Sequence, residues 1–341
     1  MEAKKRNFYL TVIAVTLMFS SGNNAAAAIR PDLDYFKDKV INFIVGTQPG
    51  GGYDTYARLI GKYLQKNIPG AKVIVKNMPG AGHIIGANET YLAKPNGLTI
   101  GSFSTGLIYS QIVGKKGIRF DLAKYSWIGK ANSEYRVLVV GQKTPFGNLR
   151  NLIESKEPIK MACSGVGGTD YNETLMLANA LGINFKLVPG YNGREGEMAI
   201  MRGEIAGIIG SYTGLISFIK AKECRVVLQI GTKKHKDLPD VPLATELKVS
   251  PKERSLISLI VATNELGRIT AGPPNIPLER LAVLRDAYKK TLTQPEFLKE
   301  AENIGLEINP AFGEEVAQMM RGAIRQPEEN ILLLNNIINA E

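Results

Sequence analysis

A two-lobed α/β protein with a ligand cleft between two similar, mainly parallel sheets is what the sequence predicts, on three observations. Apolar strand-like runs alternate with helical patterns from Val40 onward, at separations too long for hairpins. Glycine clusters fall at the carboxyl ends of six of those runs, at 49–52, 79–82, 102–106, 164–168, 189–193 and 210–214. In open α/β sheets that edge is where ligands sit. Finally, three of the six loops precede residue 135 and three follow it, which implies two sheets whose loop edges face one another.

The chain begins with Lys4-Lys5-Arg6, an apolar stretch from Phe8 to Phe19, and small residues at Ala26 and Ala28. This is a secretory signal pattern, and the apolar run is too short to cross a bilayer, which takes about 20 residues. Residues 1–28 are expected to be removed, leaving a mature chain from Ile29. Cleavage takes away three cations and Glu2, so the formal charge falls from +10 to +8. A basic exported protein suits anionic small molecules, and export argues against nucleic acid. The basic residues are scattered, and Lys233-Lys234-His235-Lys236 reads as a solvated loop.

The 341 residues, 44% of them apolar, suffice for two domains. Residues 40–45 read as a buried strand, and Tyr53, Tyr56, Ala57, Ile60 and Leu64 as the apolar face of the following helix. Between them lies Pro49-Gly50-Gly51-Gly52-Tyr53-Asp54, and after a second strand at 72–75 comes Pro79-Gly80-Ala81-Gly82-His83. One such loop is adequately explained as a turn. Two in tandem favour anion capture, because N–H groups at a helix start lack intrahelical partners and glycine lets an anion approach them. Asp54, in the first helical turn, reads as a cap, and Arg58 one turn later is placed to pair with it; Asn77 reads as fixing the second turn.

Further strands are expected at 98–103, 135–141, 159–164, 185–188, 205–210 and 226–230. Cys163 and Cys224 fall at opposite ends of parallel strands, beyond the roughly 6 Å that a disulfide spans, so both are expected to be buried thiols. After residue 230 the pattern is irregular and proline-rich. A helix near the end then presents Val316, Met319, Met320, Ala323 and Ile324 on one face, and the apolar tail 331–338 is expected to dock on the first lobe.

Enzyme readings find little support in the residues. Gly80-Ala81-Gly82 with Gly86 departs from dinucleotide spacing, GxxxxGK[ST] is absent, and His83 and His235 are the only histidines, so no paired-histidine metal motif exists. Neither a cofactor nor a metal is expected.

The stretches 41–58 (INFIVGTQPGGGYDTYAR), 73–87 (VIVKNMPGAGHIIGA), 96–101 and 188–204, with Asp240-Val241-Pro242 and 272–277 (GPPNIP), resemble the extracytoplasmic receptors of tripartite tricarboxylate transporters, the Bug family. The resemblance spans nearly all of the mature chain. It implies a periplasmic Venus-flytrap fold with crossover strands, the last segment returning to the first lobe: lobe 1 from 29–135 plus 240–341, lobe 2 from 136–239. It also implies a ligand carboxylate held by backbone N–H groups, hydroxyls and water rather than by an arginine. Carried over by position, Thr47, Gly51, Gly52 and Tyr53 would form one wall and Ser104, Thr105 and Gly106 another. Ser164, Gly168, Thr169, Tyr191, Asn192 and Ser211 would close from the second lobe. The implied partners are a small carboxylate and membrane permease subunits, with the protein a monomer; a receptor feeding a sensor kinase, or a secreted α/β enzyme, are the alternatives. Tyr53 and Tyr191 could stack on a ring or simply pack. Arg194 reads as an exposed helix-start residue, with contact to a second carboxylate as the alternative. The chain departs from the family pattern where Gly168-Thr169 is followed by Asp170-Tyr171 instead of a histidine-leucine pair. An acid there would disfavour a second ligand carboxylate unless it caps the helix, so the ligand class stays open among mono- and polycarboxylates, amides and aromatic acids.

Overall fold

The computed structural model describes residues 31–191 and 194–338. The predicted signal segment 1–28 and Asn192 lie outside the described residues. The strands are β1 (Val40–Val45), β2 (Lys72–Asn77), β3 (Thr99–Phe103), β4 (Ser126–Lys130), β5 (Arg136–Gly141), β6 (Ile159–Cys163), β7 (Phe185–Pro189), β8 (Gly207–Ser211), β9 (Cys224–Ile230), β10 (Ile269–Gly272) and β11 (Ala311–Phe312). The helices are α1 (Gly52–Asn67), α2 (Ile84–Leu92), α3 (Gly106–Ile112), α4 (Leu149–Ile153), α5 (Thr169–Leu181), α6 (Glu195–Arg202), α7 (Tyr212–Lys220), α8 (Pro251–Asn264), α9 (Leu278–Thr293), α10 (Pro295–Asn303), α11 (Glu314–Ile324) and α12 (Glu328–Ile338).

Two sheets form, in the orders β11-β4-β10-β3-β1-β2 and β7-β6-β8-β5-β9. They are mixed rather than mainly parallel. In the first, β1 pairs with β2 and β3 in parallel, but β10 runs antiparallel to β3 and β4. In the second, β6 pairs in parallel with β7 and β8, while β5 is antiparallel to β8 and β9. The reason is the crossover. A strand that enters a sheet from the cleft must run away from it, opposite to the strands whose ends carry the glycine loops. β5 enters after β4 through residues 131–135, and β10 after α8 through residues 265–268.

β4, β10 and β11 were not legible as strands in the sequence; they are short, and β4 and β10 each contain a glycine. Gly129 in β4 stands where an added Cβ would lie 2.6 Å from Tyr288 and 2.9 Å from the carbonyl of Ala311, so glycine is required by the packing there.

Each sheet is covered on both faces. α1, α9 and α10 pack with Phe43, Ile60, Leu64, Leu284 and Phe297 on one side of the first sheet, and α3 and α11 with Leu107, Trp127, Val316 and Met320 on the other. The apolar face of α11 thus lies where its spacing predicts. The second sheet carries α5 on one face and α6 and α7 on the other.

Of the segment 240–341, expected whole in the first lobe, the packing divides the described residues, 240–338, between the lobes. Leu256, Ile257 and Ile260 of α8 join Met176 and Leu177 of α5 in the second-lobe core. The tail corrects its expectation in the same way: Leu333, Leu334 and Ile337 of α12 enter that core, and Asn330 Nδ2 donates to Ser255 Oγ of α8 (2.7 Å). The apolar face of α8 was hidden within the proline-rich region, so the tail's partner surface could not be seen from sequence. Cys163 and Cys224 are buried thiols, as expected.

Candidate functional site

The glycine loops of both lobes open onto one cleft of about 970 Å³. On the first-lobe side, the chain leaves β1 and turns at Gly50, whose φ of +85° favours glycine. Gly50 N–H donates to Asp54 Oδ2 (2.8 Å), which also accepts from Arg58 Nε (2.9 Å). Asn77 Nδ2 donates to Asp54 Oδ1 (2.9 Å) and to the carbonyl of Thr47 (3.0 Å), and Asn77 Oδ1 accepts from Arg58 Nη2 (2.9 Å). Burial opposes ionisation of Asp54, but the bonds from Arg58, Gly50 and Asn77 outweigh it and hold the carboxyl below its usual range. Asp54, Arg58 and Asn77 are therefore the framework of the loop.

What the loop leaves free is the start of α1. Its N-cap, Gly51, supplies no side-chain bond, and first-turn N–H groups have no intrahelical acceptor. Thr47 Oγ1 beside it is buried and has no hydrogen-bond partner among the described residues. Thr47, Gly51, Gly52 and Tyr53 all line the cleft.

The second loop contributes more than shape. Gly80, Ala81, Gly82 and His83 all have positive φ, and this run turns the His83 ring into the cleft lining. The ring lies against Gly46, where a Cβ would come within 2.5 Å of Nδ1. Ser104 N–H donates to His83 Nδ1 (3.2 Å), so the neutral ring carries its proton on Nε2. Burial, helped by the charge of Arg268, lowers the His83 pKa to about 4.

Ser104 lines the cleft, but Thr105 and Gly106 do not. Both are buried behind it, and Gly106 N–H is spent on Ser104 Oγ (3.2 Å) and Thr169 Oγ1 (3.1 Å). The strand-to-helix turn at α3 is tight enough that only its first residue faces outward.

From the second lobe, Ser164, Gly168, Thr169, Tyr191 and Ser211 line the cleft. Asp170 accepts from Ser164 N–H (2.6 Å), Ser164 Oγ (2.7 Å) and its neighbour Tyr171 N–H (3.0 Å). It does for the α5 loop what Asp54 does for the α1 loop, which explains an acid at the position where the family pattern has histidine. Ser211 Oγ caps α7 by accepting from Gly214 N–H (3.2 Å). Arg194, exposed, stands at the cleft with Glu197.

The floor was not foreseen. Glu134 and Arg136 from the first crossover and Arg268 from the second line the cleft together. Glu134 pairs with both arginines: Oε1 lies 2.7 Å from Arg268 Nη1, and Oε2 accepts from Arg136 Nη1 (3.2 Å). Arg136 Nε lies 2.6 Å from Oε2 of the fully buried Glu173 on α5. Burial raises the Glu173 pKa to about 7, against the pull of Arg136. For Glu134 the two arginines overcome burial and keep it ionised. No local motif marks these residues, since the partners are far apart in sequence; His83, by contrast, directly follows the second glycine loop and could have been named.

Comparison with known proteins places this geometry in context. A family model described as "Tripartite tricarboxylate transporter family receptor" matches residues 56–333. A UPF0065 protein encoded in the tcbD-tcbE intergenic region of Pseudomonas sp. (strain P51) is 25% identical over 294 residues, covering 85% of this chain and 84% of that protein. Among solved structures, the periplasmic binding protein BugD superposes with a TM-score of 0.69 at 21% identity, over 86% of this chain and 96% of BugD. MatC from Rhodopseudomonas palustris, solved with bound malate, gives 0.67 at 19% identity, over 88% and 99%.

Proposed function

This chain belongs to the tripartite tricarboxylate transporter receptor family, and on that premise we propose that it is an exported, periplasmic solute-binding protein. In this reading it captures a small organic carboxylate in the inter-lobe cleft and delivers it to the membrane permease of a tripartite transporter. The observation that carries the reading is the pairing, on one cleft wall, of the uncapped start of α1 with the partnerless hydroxyl of Thr47. Both are donors that need an acceptor, and a carboxylate, with more than one lone pair, supplies it to both. His83 Nε2–H adds a neutral donor that persists through the physiological pH range, because the ring charges only near pH 4.

Binding would proceed from the first lobe, with the α5 loop closing over the solute from the second. Closure needs contacts that exist only in the closed form. The malate bound by MatC belongs to the same chemical class and supports the choice of probes. The test is a thermal-shift panel on the chain from Ile29, with mono-, di- and tricarboxylates, amino acids, amides and aromatic acids. A cognate solute at 100 times its dissociation constant stabilises by about 2.7 kcal/mol. A selective carboxylate hit is the expected result, and a panel in which no carboxylate shifts the folded protein refutes the reading.

A further inference from the structure

We infer that Arg268 is a specificity-determining residue of the cleft, a fixed cation beside the start of α1 that selects ionised carboxylates over their neutral amides. The inference rests on the carboxylate-binding reading above and goes beyond the backbone-and-hydroxyl mode of anion capture that the resemblance implies. Four observations carry it.

First, Arg268 is held in place. It sits at a φ of +56°, which a non-glycine residue adopts at a cost, in the short return crossover between α8 and β10. Its guanidinium lies over the ring of Tyr53 at 4.2 Å and that of Tyr56 at 5.1 Å. Second, it stands at the helix start: a Cβ on Gly52, the first residue of α1, would lie 3.2 Å from Nη2. A cation against the positive end of a helix is unfavourable unless an anion lies beside both. Glu134 meets this need on one side only, through Nη1.

Third, Arg268 has donors to spare. Its Nε is buried and has no hydrogen-bond partner among the described residues. Arg136, the other arginine of the floor, also has a partnerless Nη2 among the described residues, but two carboxylates, Glu134 and Glu173, flank it. Fourth, the acids that brace the cleft loops and the floor are committed. Asp54 is taken by Gly50, Arg58 and Asn77, Asp170 by Ser164 and Tyr171, and Glu134 by the two arginines. Around the start of α1 the wall therefore has an excess of donors, one of them fully charged; among the described lining residues the remaining acid is Glu197, on α6 of the second lobe beside Arg194. An ionised carboxylate completes the wall; an amide, which brings N–H donors of its own, meets donors with donors. Glu134 is the positioning residue, since its carboxylate holds the guanidinium at Nη1.

The experiment is isothermal titration of wild type and Arg268→Gln with the tightest carboxylate of the thermal-shift panel and with its amide. The expected result is that wild type prefers the acid and that the variant loses about 10- to 100-fold in affinity for the acid, with the amide little changed. A variant that binds the acid as wild type does overturns the inference while leaving the carboxylate reading intact. Absence of any carboxylate binding to wild type overturns both. A readout on the wild-type protein covers the case in which the variant does not fold. The Arg268 Nε–H resonance, assigned with Arg268→Lys, should move on addition of the acid and stay in place with the amide; a resonance that ignores the acid refutes the role.

Discussion

The hydroxyls of Ser104 and Thr169 meet 2.6 Å apart, one from the first lobe and one from the second. Thr169 Oγ1 also accepts from Gly106 N–H (3.1 Å), so the start of α3 and the start of α5 share one small hydrogen-bonded cluster. This contact ties the lobes together inside the cleft, and it exists only while they are close. Thr169→Val removes the acceptor while keeping the shape, and leaves Gly106 N–H with Ser104 Oγ. The expected effect is a shift toward the open form worth about 0.5–1.5 kcal/mol, a weakening of binding of up to about tenfold. Small-angle scattering of the free protein, paired with titration, checks both; an unchanged radius of gyration with unchanged affinity removes the contact from the closure mechanism.

Gly51 offers a cleaner probe of the anion site than the other loop glycines. Its backbone (φ −79°, ψ 168°) is ordinary for any residue, and an added Cβ meets nothing closer than 3.8 Å. Gly51→Val should therefore fold, at a cost of about 1 kcal/mol for the poorer N-cap. Its methyl groups would stand over the first-turn N–H groups, and affinity should fall at least about tenfold. Native affinity in the valine variant would show that the solute does not use the start of α1.

Two buried groups should give stability opposite dependences on pH. Glu173 titrates near 7 in the folded protein against 4.5 as its ordinary value, so the folded state holds its proton longer than the unfolded state. That contribution is complete below about 4.5 and is lost as pH rises through 7. His83 is lowered from 6.5 to about 4, so its contribution is complete above 6.5 and is lost as pH falls through 4. Between roughly pH 4.5 and 6.5 the two slopes oppose one another. Glu173→Gln should expose the histidine slope, with stability rising from pH 4 to 6.5 in urea melts. A profile identical to wild type in that variant would sink the assignment.

Arg136 answers two carboxylates with little water access, its side chain 7% exposed and that of Glu173 fully buried. Arg136→Met leaves both acids without it, and should cost about 3–5 kcal/mol. Adding Glu173→Gln should recover part of that loss in melts above pH 7, where Glu173 is otherwise charged, because a neutral amide tolerates burial better than an uncompensated charge. A single variant that loses under about 1 kcal/mol in denaturant melts would mean the pair is not desolvated.

Local pattern by itself determined the α/β class, the β1 strand and α1 face, the six glycine loops at strand ends, and the two-lobe arrangement around a cleft. Those features rest on short-range physics: periodicity, turn chemistry and the unpaired N–H groups of a helix start all lie within one stretch of chain. Tertiary structure alone decided the rest. It turned Thr105 and Gly106 inward behind Ser104, sent α8 and α12 to the second lobe, and reversed β5 and β10 because a crossover strand must leave the cleft edge. It also built the floor of Glu134, Arg136, Glu173 and Arg268 from two crossovers and a helix. Charge pairing acts through space, and residues 134 and 268 come within 2.7 Å only because two separate crossovers pass the same point between the lobes.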